Sequence, residues 1–261
     1  MALQLGRMFS DGIRRVLTRT GGILLVGLLV IQFLVQISIN TAVIGFVPPE
    51  AAGQLGETIG PTLPVSGSVG AALFVGGFIL SSVYFVVLSR ALTRPVSELS
   101  TFPAELFTQR IGRATLSMIV GGIIVGLSVT IGLMLFIFPG LFLAVCFLFF
   151  IFAVSVEDRG FIDALKRSWD LSRGNRLKLA VIVILSGVIG AVIGVVGTVF
   201  DLAGIPIVAD LVSNTISSVL FVFLYGIMAS AYLQVRGDDD QNGFDGSETA
   251  QPMGGTVASD P

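Results

Sequence analysis

The distribution of charge along the chain constrains its fold more than any other feature. Five blocks contain no Asp, Glu, Lys or Arg, and together they make up more than half of the chain. A water-soluble domain of this length needs polar residues on every surface element, so such blocks favour a chain solvated by lipid. A mean hydropathy of +0.94 and a charged fraction of only 12% agree with this. The uncharged blocks are residues 20–49, 58–89, 114–156, 179–200 and 211–235.

The lengths of these blocks predict six membrane spans. A bilayer core of about 30 Å takes about 20 helical residues, so four blocks fit one span each. The block 114–156 is roughly twice too long, and the helix breaker Pro139-Gly140 near its middle predicts two spans joined by a tight turn. We therefore expect an all-α, polytopic membrane bundle of about six transmembrane helices. The expected spans are 21–46, 67–89, 114–137, 141–156, 179–200 and 211–235.

The basic residues predict the orientation of this bundle, because Lys and Arg favour the cytoplasmic side of short loops. With six spans, all fifteen Lys and Arg fall on one side. The opposite loops carry only Glu50, Glu57, Asp201 and Asp210 as charges. One span more or fewer would divide the basic clusters between the two sides. We expect a multi-pass protein of the cell (cytoplasmic) membrane with both termini in the cytoplasm.

Three basic segments beside the spans are amphipathic. Residues 5–17 and 161–172 place apolar and charged side chains on opposite sides of a helix, and residues 102–113 do so more weakly. Such segments predict short cytoplasmic helices in the membrane interface, with Trp169 at headgroup level. Because each precedes two spans, they suggest a threefold repeat of interfacial helix and helical hairpin. Any cytoplasmic linker of a positive-inside protein would look similar, so both interpretations stay open.

The chain divides into three parts on this basis. Residues 1–20 form a cytoplasmic basic amphipathic segment, and residues 21–236 form the six-span membrane domain. Residues 237–261 hold six acidic residues, no basic ones and almost nothing to bury, which predicts a disordered acidic cytoplasmic tail. The acidic tail and a pI near 5.1 are also typical of a halophilic source.

Residue types that support catalysis are scarce. The chain has no histidine, the commonest general base and metal ligand. Cys146 lies within a span among phenylalanines and is expected to be a small buried apolar residue. Glu157-Asp158 lies beside Arg159 at a membrane boundary, where we expect no fixed, desolvated geometry. We therefore expect no enzyme: no catalytic residue, no metal, no cofactor, and no nucleic acid partner.

Two spans carry stripes of uncharged polar residues, although no span contains an ionisable side chain. One interpretation is that the stripes converge on a polar cavity for a solute or a lipid headgroup. The other is hydrogen bonding between helices, worth about 1 kcal/mol per contact. The stripe residues are Gln32, Gln36 and Asn40 in the first span and Asn214, Ser218 and Tyr225 in the sixth.

Regularly spaced glycines predict close helix packing on two further spans. Small residues at intervals of three or four let helix backbones approach each other, either within one chain or between protomers. These candidate packing residues are Gly122 and Gly126 in the third span and Gly187, Gly190, Gly194 and Gly197 in the fifth.

The segment from Pro139 to Gly174 resembles a known kind of membrane protein. A span opening with Pro-Gly, followed by "VSVEDRG", "ALKRSWDLSRGN" and another span, is similar to an uncharacterised six-span family of archaea and bacteria. It also resembles the membrane domain that accompanies some glycerophosphodiester phosphodiesterases, without their catalytic domain. The resemblance implies an accessory membrane module. The matching positions are Pro139, Gly140, Glu157, Gly160, Ala164, Leu165, Ser168, Trp169, Leu171 and Gly174.

Two functions remain open from the sequence. The first is a non-enzymatic membrane module that interacts with membrane lipids, with itself or with another membrane protein, and engages anionic headgroups through its basic helices. The alternative is a permease-like facilitator with a polar passage between the first and sixth spans. The candidate headgroup contacts are Arg14, Arg15, Arg110, Lys166, Arg167, Trp169 and Arg173.

Overall fold

A computed structural model describes residues 3–56, 59–100 and 110–248, and every regular element within these ranges is helical. Six helices or helix pairs are long and apolar enough to cross a membrane, which confirms the all-α bundle of about six spans. The helices are α1 (Leu5–Val16), α2 (Arg19–Phe46), α3 (Pro49–Gly56), α4 (Gly67–Leu92), a 3₁₀ turn (Val96–Ser100), α5 (Ile111–Leu135), α6 (Ile137–Cys146), α7 (Phe150–Ser155), α8 (Phe161–Ser172), α9 (Arg176–Leu202) and α10 (Pro206–Glu248).

The turn between the third and fourth spans lies slightly before the expected position. Phe136 is extended, with φ −158° and ψ 142°, and α6 begins directly after it. Pro139 therefore lies in the first turn of α6, where its missing N–H is not needed. A helix continuing through Phe136 would bring the Pro139 ring against the carbonyl of Leu135, the last residue of α5. The proline thus sets the turn about three residues upstream of itself.

The spans form three helical hairpins, α2 with α4, α5 with α6, and α9 with α10. Helix α1 packs along α10, and α8 packs against α7 at the end of the second hairpin. The two amphipathic helices share a local sequence, "DGIRR" at 11–15 and "DALKR" at 163–167, and the small residues Gly12 and Ala164 are buried at equivalent positions. Each therefore rests on the second span of a neighbouring hairpin, so its apolar side packs against protein.

The end of the bundle that carries α1, α8 and the basic residues is called the basic end below, and the opposite end, with α3, is called the far end. The outer sides of α5 and α9 expose apolar residues such as Ile123, Leu127, Val188 and Val192. This exposure fits a chain whose spans are solvated by lipid. The structure is that of a multi-pass membrane protein.

Helices cross most closely at glycines other than the expected ones. A Cβ atom at Gly12 would lie 2.7 Å from the backbone nitrogen of Ile227, and Gly226 is equally close to α1. Gly45 meets Gly67 between α2 and α4, and Gly132 meets Gly140 between α5 and α6. By contrast, a Cβ at five of the six candidate packing positions meets nothing within 4 Å: Gly122, Gly126, Gly187, Gly190 and Gly194.

The prediction of glycine packing within the chain is therefore wrong for those five positions. Only Gly197 approaches a neighbour, with the Ser213 hydroxyl 3.1 Å from the position of its Cβ. Spacing along one helix shows that a smooth face exists, but not that another helix lies opposite. Packing of these faces between protomers stays a prediction.

The last helix runs further than the sequence suggests. Helix α10 continues to Glu248, so it includes the first twelve residues of the segment expected to be disordered. Extending an existing helix fixes only one residue for each new hydrogen bond, whereas starting one is costly, and no proline interrupts the chain before Pro252. Residues 249–261, the rest of the expected tail, lie outside the described residues.

The α1–α10 crossing makes a testable difference between two alanine substitutions. Gly12→Ala should destabilise the protein by about 1–3 kcal/mol, because its methyl group overlaps the Ile227 backbone. Gly122→Ala should be neutral or stabilising by up to about 1 kcal/mol, because its methyl group meets open space and alanine favours the helix. Unfolding in a single detergent by increasing denaturant measures both. Equal effects of the two substitutions would contradict the close crossing.

Candidate functional site

A basic cavity lies where α8 ends and α9 begins. Gly174 has a φ of +81°, a conformation that favours glycine, and it turns the chain between the two helices. The following residues open a cavity of about 350 Å³ at the N-terminus of α9, where the helix dipole favours an anion. The cavity is lined by Arg173, Gly174, Asn175, Arg176, Leu177 and Lys178.

Arg176 is held in place by two aromatic rings. The central carbon of its guanidinium lies 4.9 Å from the ring centre of Phe142 and 4.9 Å from that of Trp169. The two rings also contact each other edge to face, at 5.7 Å between centres. A cation over a ring face is attracted by about 0.5–2 kcal/mol. The rings thus fix the guanidinium without neutralising it, and the charge stays available at the cavity.

The other two cations of the cavity differ in their surroundings. Arg173 is exposed, and its Nε lies 3.8 Å from Asp170 in a surface pair that adds little stability. Lys178 donates a hydrogen bond of 2.8 Å to the backbone oxygen of Leu3, whose N–H contacts Asn175 at 3.4 Å. The N-terminal segment therefore borders the cavity, and its backbone dipoles leave the lysine charge in place.

A second, mostly apolar cavity of about 340 Å³ lies on the other side of Trp169. Phe147, Leu165 and Trp169 form its apolar walls, and Lys166 and Asp170 stand at its edge. The indole ring is half-buried, 6.1 Å from the Phe147 ring centre. Arg176 lines the basic cavity and Trp169 lines the apolar one, so the two cavities are neighbours at the stacked Trp169 and Arg176 side chains. This arrangement matches the two ends of an amphiphile.

A buried carboxylate joins three helices next to this site. Glu157, with a side chain only 9% exposed, accepts hydrogen bonds from the Tyr232 hydroxyl at 2.8 Å and from Arg159 Nε at 2.6 Å. Arg167 Nε lies 3.2 Å from the same carboxylate. The cluster connects the end of α7, α8 and α10. The expectation that Glu157 lacks a fixed, desolvated position is therefore wrong.

The pKa of Glu157 reflects competing effects. Burial raises it, but the hydrogen bonds from Tyr232 and Arg159 and the charge of Arg167 outweigh burial and hold the pKa below its ordinary value. The carboxylate is therefore ionised at neutral pH and its oxygens are occupied by donors. Such a group stabilises the fold and is a poor general base.

Two of the candidate headgroup contacts bind protein groups instead of facing outwards. Arg15 Nη1 donates to the backbone oxygens of Leu92 and Arg94, at 2.8 and 2.6 Å, and so caps the end of α4. Arg167 is bound to Glu157. Both predictions of a headgroup contact are corrected on this ground, because a guanidinium used inside the protein is not free for lipid.

The remaining candidates are accessible. Arg14, Lys166 and Arg173 are exposed and Trp169 is half-buried beside the two cavities. Arg110 is 70% exposed and lies 3.4 Å from Asp158, away from the cavities. The structure therefore brings Lys166, Trp169 and Arg173 together and leaves Arg14 and Arg110 elsewhere at the basic end.

Ser168 repairs a break in the fourth span. Between α6 and α7 the helical hydrogen bonds are interrupted, and the Ser168 hydroxyl donates to the Cys146 carbonyl at 2.8 Å and accepts from the Phe149 N–H at 3.2 Å. Ser168 and Phe149 are fully buried. In an apolar environment a free backbone group is costly, so this side chain allows the span to bend. It also holds α8 at the position where Trp169 meets Arg176.

The polar stripes come together only in part. Gln36 Nε2 donates to Asn40 Oδ1 at 3.1 Å, and Asn40 contacts the Pro61 carbonyl at 3.4 Å. Asn214 and Ser218 lie on the adjoining α10, while Gln32 is half-buried on α2. Tyr225 belongs to a different environment near the basic end, with its ring 5.3 Å from that of Phe85. Tyr225 is therefore not part of a shared polar cluster.

Sequence reasoning missed Arg176, Phe142 and Tyr232 as site residues. Arg176 looked like one more basic residue in a linker, and Phe142 like one more apolar residue in a span. A weak signal existed for Tyr232, which is nearer than Tyr225 to the basic end of the sixth span. Nothing in the sequence paired it with Glu157, which is far away along the chain.

Residues 3–235 match the model of a protein family described as a domain of unknown function, DUF7847. The match covers most of the chain, so the protein belongs to this family. No curated protein and no solved structure matches it. The matched region contains all six spans, both cavities and the Glu157 cluster, and the family's description assigns no activity to any of them.

The Glu157 cluster predicts how stability depends on pH. Because the pKa of Glu157 is lower in the folded protein than its ordinary value of 4.5, its contribution is fully present above that value and is lost as the pH falls through the folded pKa. Glu157→Gln should cost about 3 kcal/mol at pH 7, since it removes the buried negative charge with which Arg159 and Arg167 pair. The difference in the free energy of unfolding between this variant and wild type should become smaller at acidic pH. Denaturant unfolding at pH 7 and pH 3 measures this, and a pH-independent deficit would contradict it.

The bend in the fourth span gives a separate prediction. Ser168→Ala should cost about 1–3 kcal/mol, because it leaves the Cys146 carbonyl and the Phe149 N–H unpaired. Ser89→Ala is the matched control, since buried Ser89 bonds only a carbonyl one turn back, Phe85, that lies within its own helix. We expect this control to lose less than about 0.5 kcal/mol. If denaturant unfolding shows a similar loss of stability in the two variants, the hydrogen bonds of Ser168 do not stabilise the break in the fourth span.

Proposed function

We propose that this protein is a non-enzymatic membrane module that binds an anionic phospholipid at the cytoplasmic face of the cell membrane. The observation that carries the proposal is the basic cavity beside the apolar one, divided by the Trp169–Arg176 stack. A phosphate group in the basic cavity would meet the charges of Arg173, Arg176 and Lys178. An acyl chain would follow the apolar cavity and the exposed faces of the spans.

The charge distribution supports this choice of ligand. The fifteen basic residues lie at one end of the bundle in a six-span arrangement, and the positive-inside tendency assigns that end to the cytoplasm. The cytoplasmic leaflet is rich in anionic lipids, and each Lys or Arg near the surface adds about 1 kcal/mol of attraction. Both termini are then cytoplasmic.

The absence of histidine and the occupied carboxylate of Glu157 favour binding over catalysis. The resemblance of residues 139–174 to the membrane domain that accompanies some glycerophosphodiester phosphodiesterases supports an accessory role in the same membrane. In this role the lipid holds the module, or a partner bound to it, at a charged patch of the membrane. The alternative, a permease-like facilitator, would use the polar residues of α2 and α10 near the far end.

Binding of phosphatidylglycerol tests the proposal. The purified protein in mild detergent is mixed with equal amounts of phosphatidylglycerol and phosphatidylcholine, and native mass spectrometry gives the fraction that retains each lipid. Arg173→Gln and Arg176→Gln should each reduce phosphatidylglycerol retention about fivefold, which corresponds to about 1 kcal/mol per charge. Arg14→Gln, the same charge change on an exposed residue of α1, is the control and should retain the wild-type level.

The double variant of Arg173 and Arg176 must first show an unfolding midpoint close to that of wild type. If it is folded and still prefers phosphatidylglycerol as strongly as wild type, the cavity does not bind the headgroup. An equal loss of phosphatidylglycerol retention in the Arg14→Gln control would show a general effect of net charge. It would also contradict the assignment of the headgroup to this cavity.

A further inference from the structure

The polar residues near the far end form a ladder between α2 and α10. A Cβ at Gly60 would lie against the Asp210 carboxylate and 3.3 Å from Asn40 Nδ2, so these two side chains come together at the loop that contains Gly60. This is the first rung, at the end of the ladder nearest the surface. It brings together one residue of α2, near its C-terminal end, and one residue of α10, near its N-terminal end.

The two helices run in opposite directions and are in contact, which sets the next rungs. One helical turn deeper lie Gln36 on α2 and Asn214 on α10, and a further turn deeper lie Gln32 and Ser218. Each step of four residues keeps a side chain on nearly the same face of its helix. Amides and hydroxyls thus continue from the far end into the middle of the bundle.

Part of this ladder is buried without a hydrogen-bond partner. Ser218 is fully buried and its hydroxyl contacts no acceptor or donor within the described residues, and the same holds for the side-chain nitrogen of Asn214. Inside a membrane, such groups are tolerated where they pair with each other, line a cavity or meet water. These two groups lie one turn apart on one face of α10, and their unused hydrogen-bonding capacity favours an occupant that could pair with them.

The chemistry of the ladder restricts what that occupant can be. Each of the polar side chains Gln36, Asn214 and Ser218 can donate and also accept hydrogen bonds, and none of them carries a charge. Below the first rung the ladder has no ionisable side chain that could neutralise an ion, which makes burial of an ion there costly. An uncharged solute with both donors and acceptors fits these groups.

We infer that the α2–α10 ladder is a water-accessible binding site for a small uncharged solute with hydroxyl or amide groups, entered from the far end beside Gly60. The site is separate from the lipid cavity, because it lies toward the opposite end of the bundle and shares no residue with it. Its existence does not depend on the proposed lipid binding, and either can fail alone.

Cysteine accessibility tests this site. Ser218→Cys replaces the hydroxyl with a thiol of similar size, and wild type gives the background because Cys146 is buried. A membrane-impermeant, charged methanethiosulfonate is added to either side of oriented vesicles. We expect reaction from the Gly60 side at a rate at least tenfold above that of Thr215→Cys, an exposed position at a similar depth on the outer face of α10.

Protection by solutes then tests binding rather than hydration. Glycerol or urea should slow the modification of Ser218→Cys at least threefold, and guanidinium, the charged counterpart of urea, should protect less. Adding Asn214→Leu should remove the protection while the protein keeps its unfolding midpoint.

Three results would overturn the inference. A Ser218→Cys variant as unreactive as Thr215→Cys would mean that the ladder is dry and serves only helix packing. If neither glycerol nor urea slows the reaction, the ladder is accessible to water but does not bind such solutes. Stronger protection by guanidinium than by urea would exclude the assignment to uncharged solutes.

Discussion

The hydrocarbon core of a bilayer cannot hydrogen-bond to a peptide group, and this constraint governs the part of the bundle where the two cavities lie. The fourth span is broken between α6 and α7, and the side chain of Ser168 supplies the bonds that the helix lacks. To do so, α8 must lie against the span. Trp169, the next residue, is thereby placed against Phe142 and Arg176, so the shape of the basic cavity follows from the repair of the break.

The Glu157 cluster completes this arrangement from the other side of α8. Arg167 precedes Ser168 and is bound to a carboxylate that also receives a hydrogen bond from Tyr232 in the last span. Three consecutive residues of α8 thus make these attachments. Arg167 binds Glu157 at the end of the fourth span, Ser168 binds the break within that span, and Trp169 contacts the Phe142 ring. A buried ion pair of this kind adds little to stability in itself, but loss of one partner is costly.

Sequence alone was sufficient for the spans because lipid imposes a simple rule on composition and length. The sequence was less informative about the role of a side chain wherever that role depends on which group lies opposite it in the fold. Arg15 and Arg167 resemble Arg14 and Lys166 in sequence, yet the first two bind protein groups and the last two are exposed. Gly12 stands alone in the sequence and makes a close crossing with α10, whereas the evenly spaced glycines of α9 mostly face open space. The stripes of α2 and α10 were expected either to converge on a polar cavity or to bond between helices, and the position of Gly60 beside Asn40 and Asp210 was not expected.

The contact between Gly12 on α1 and Gly226 on α10 ties together the first and the last helices of the bundle. A ribosome makes the chain from its N-terminus, so α1 is synthesised long before the helix on which it finally rests. During that interval its apolar side lacks the α10 surface that finally covers it, and the adjacent membrane surface is the nearest apolar environment. The amphipathic side of α1 therefore has two successive roles. It first holds the nascent chain at the membrane surface, and it packs against α10 only after the last span has been inserted.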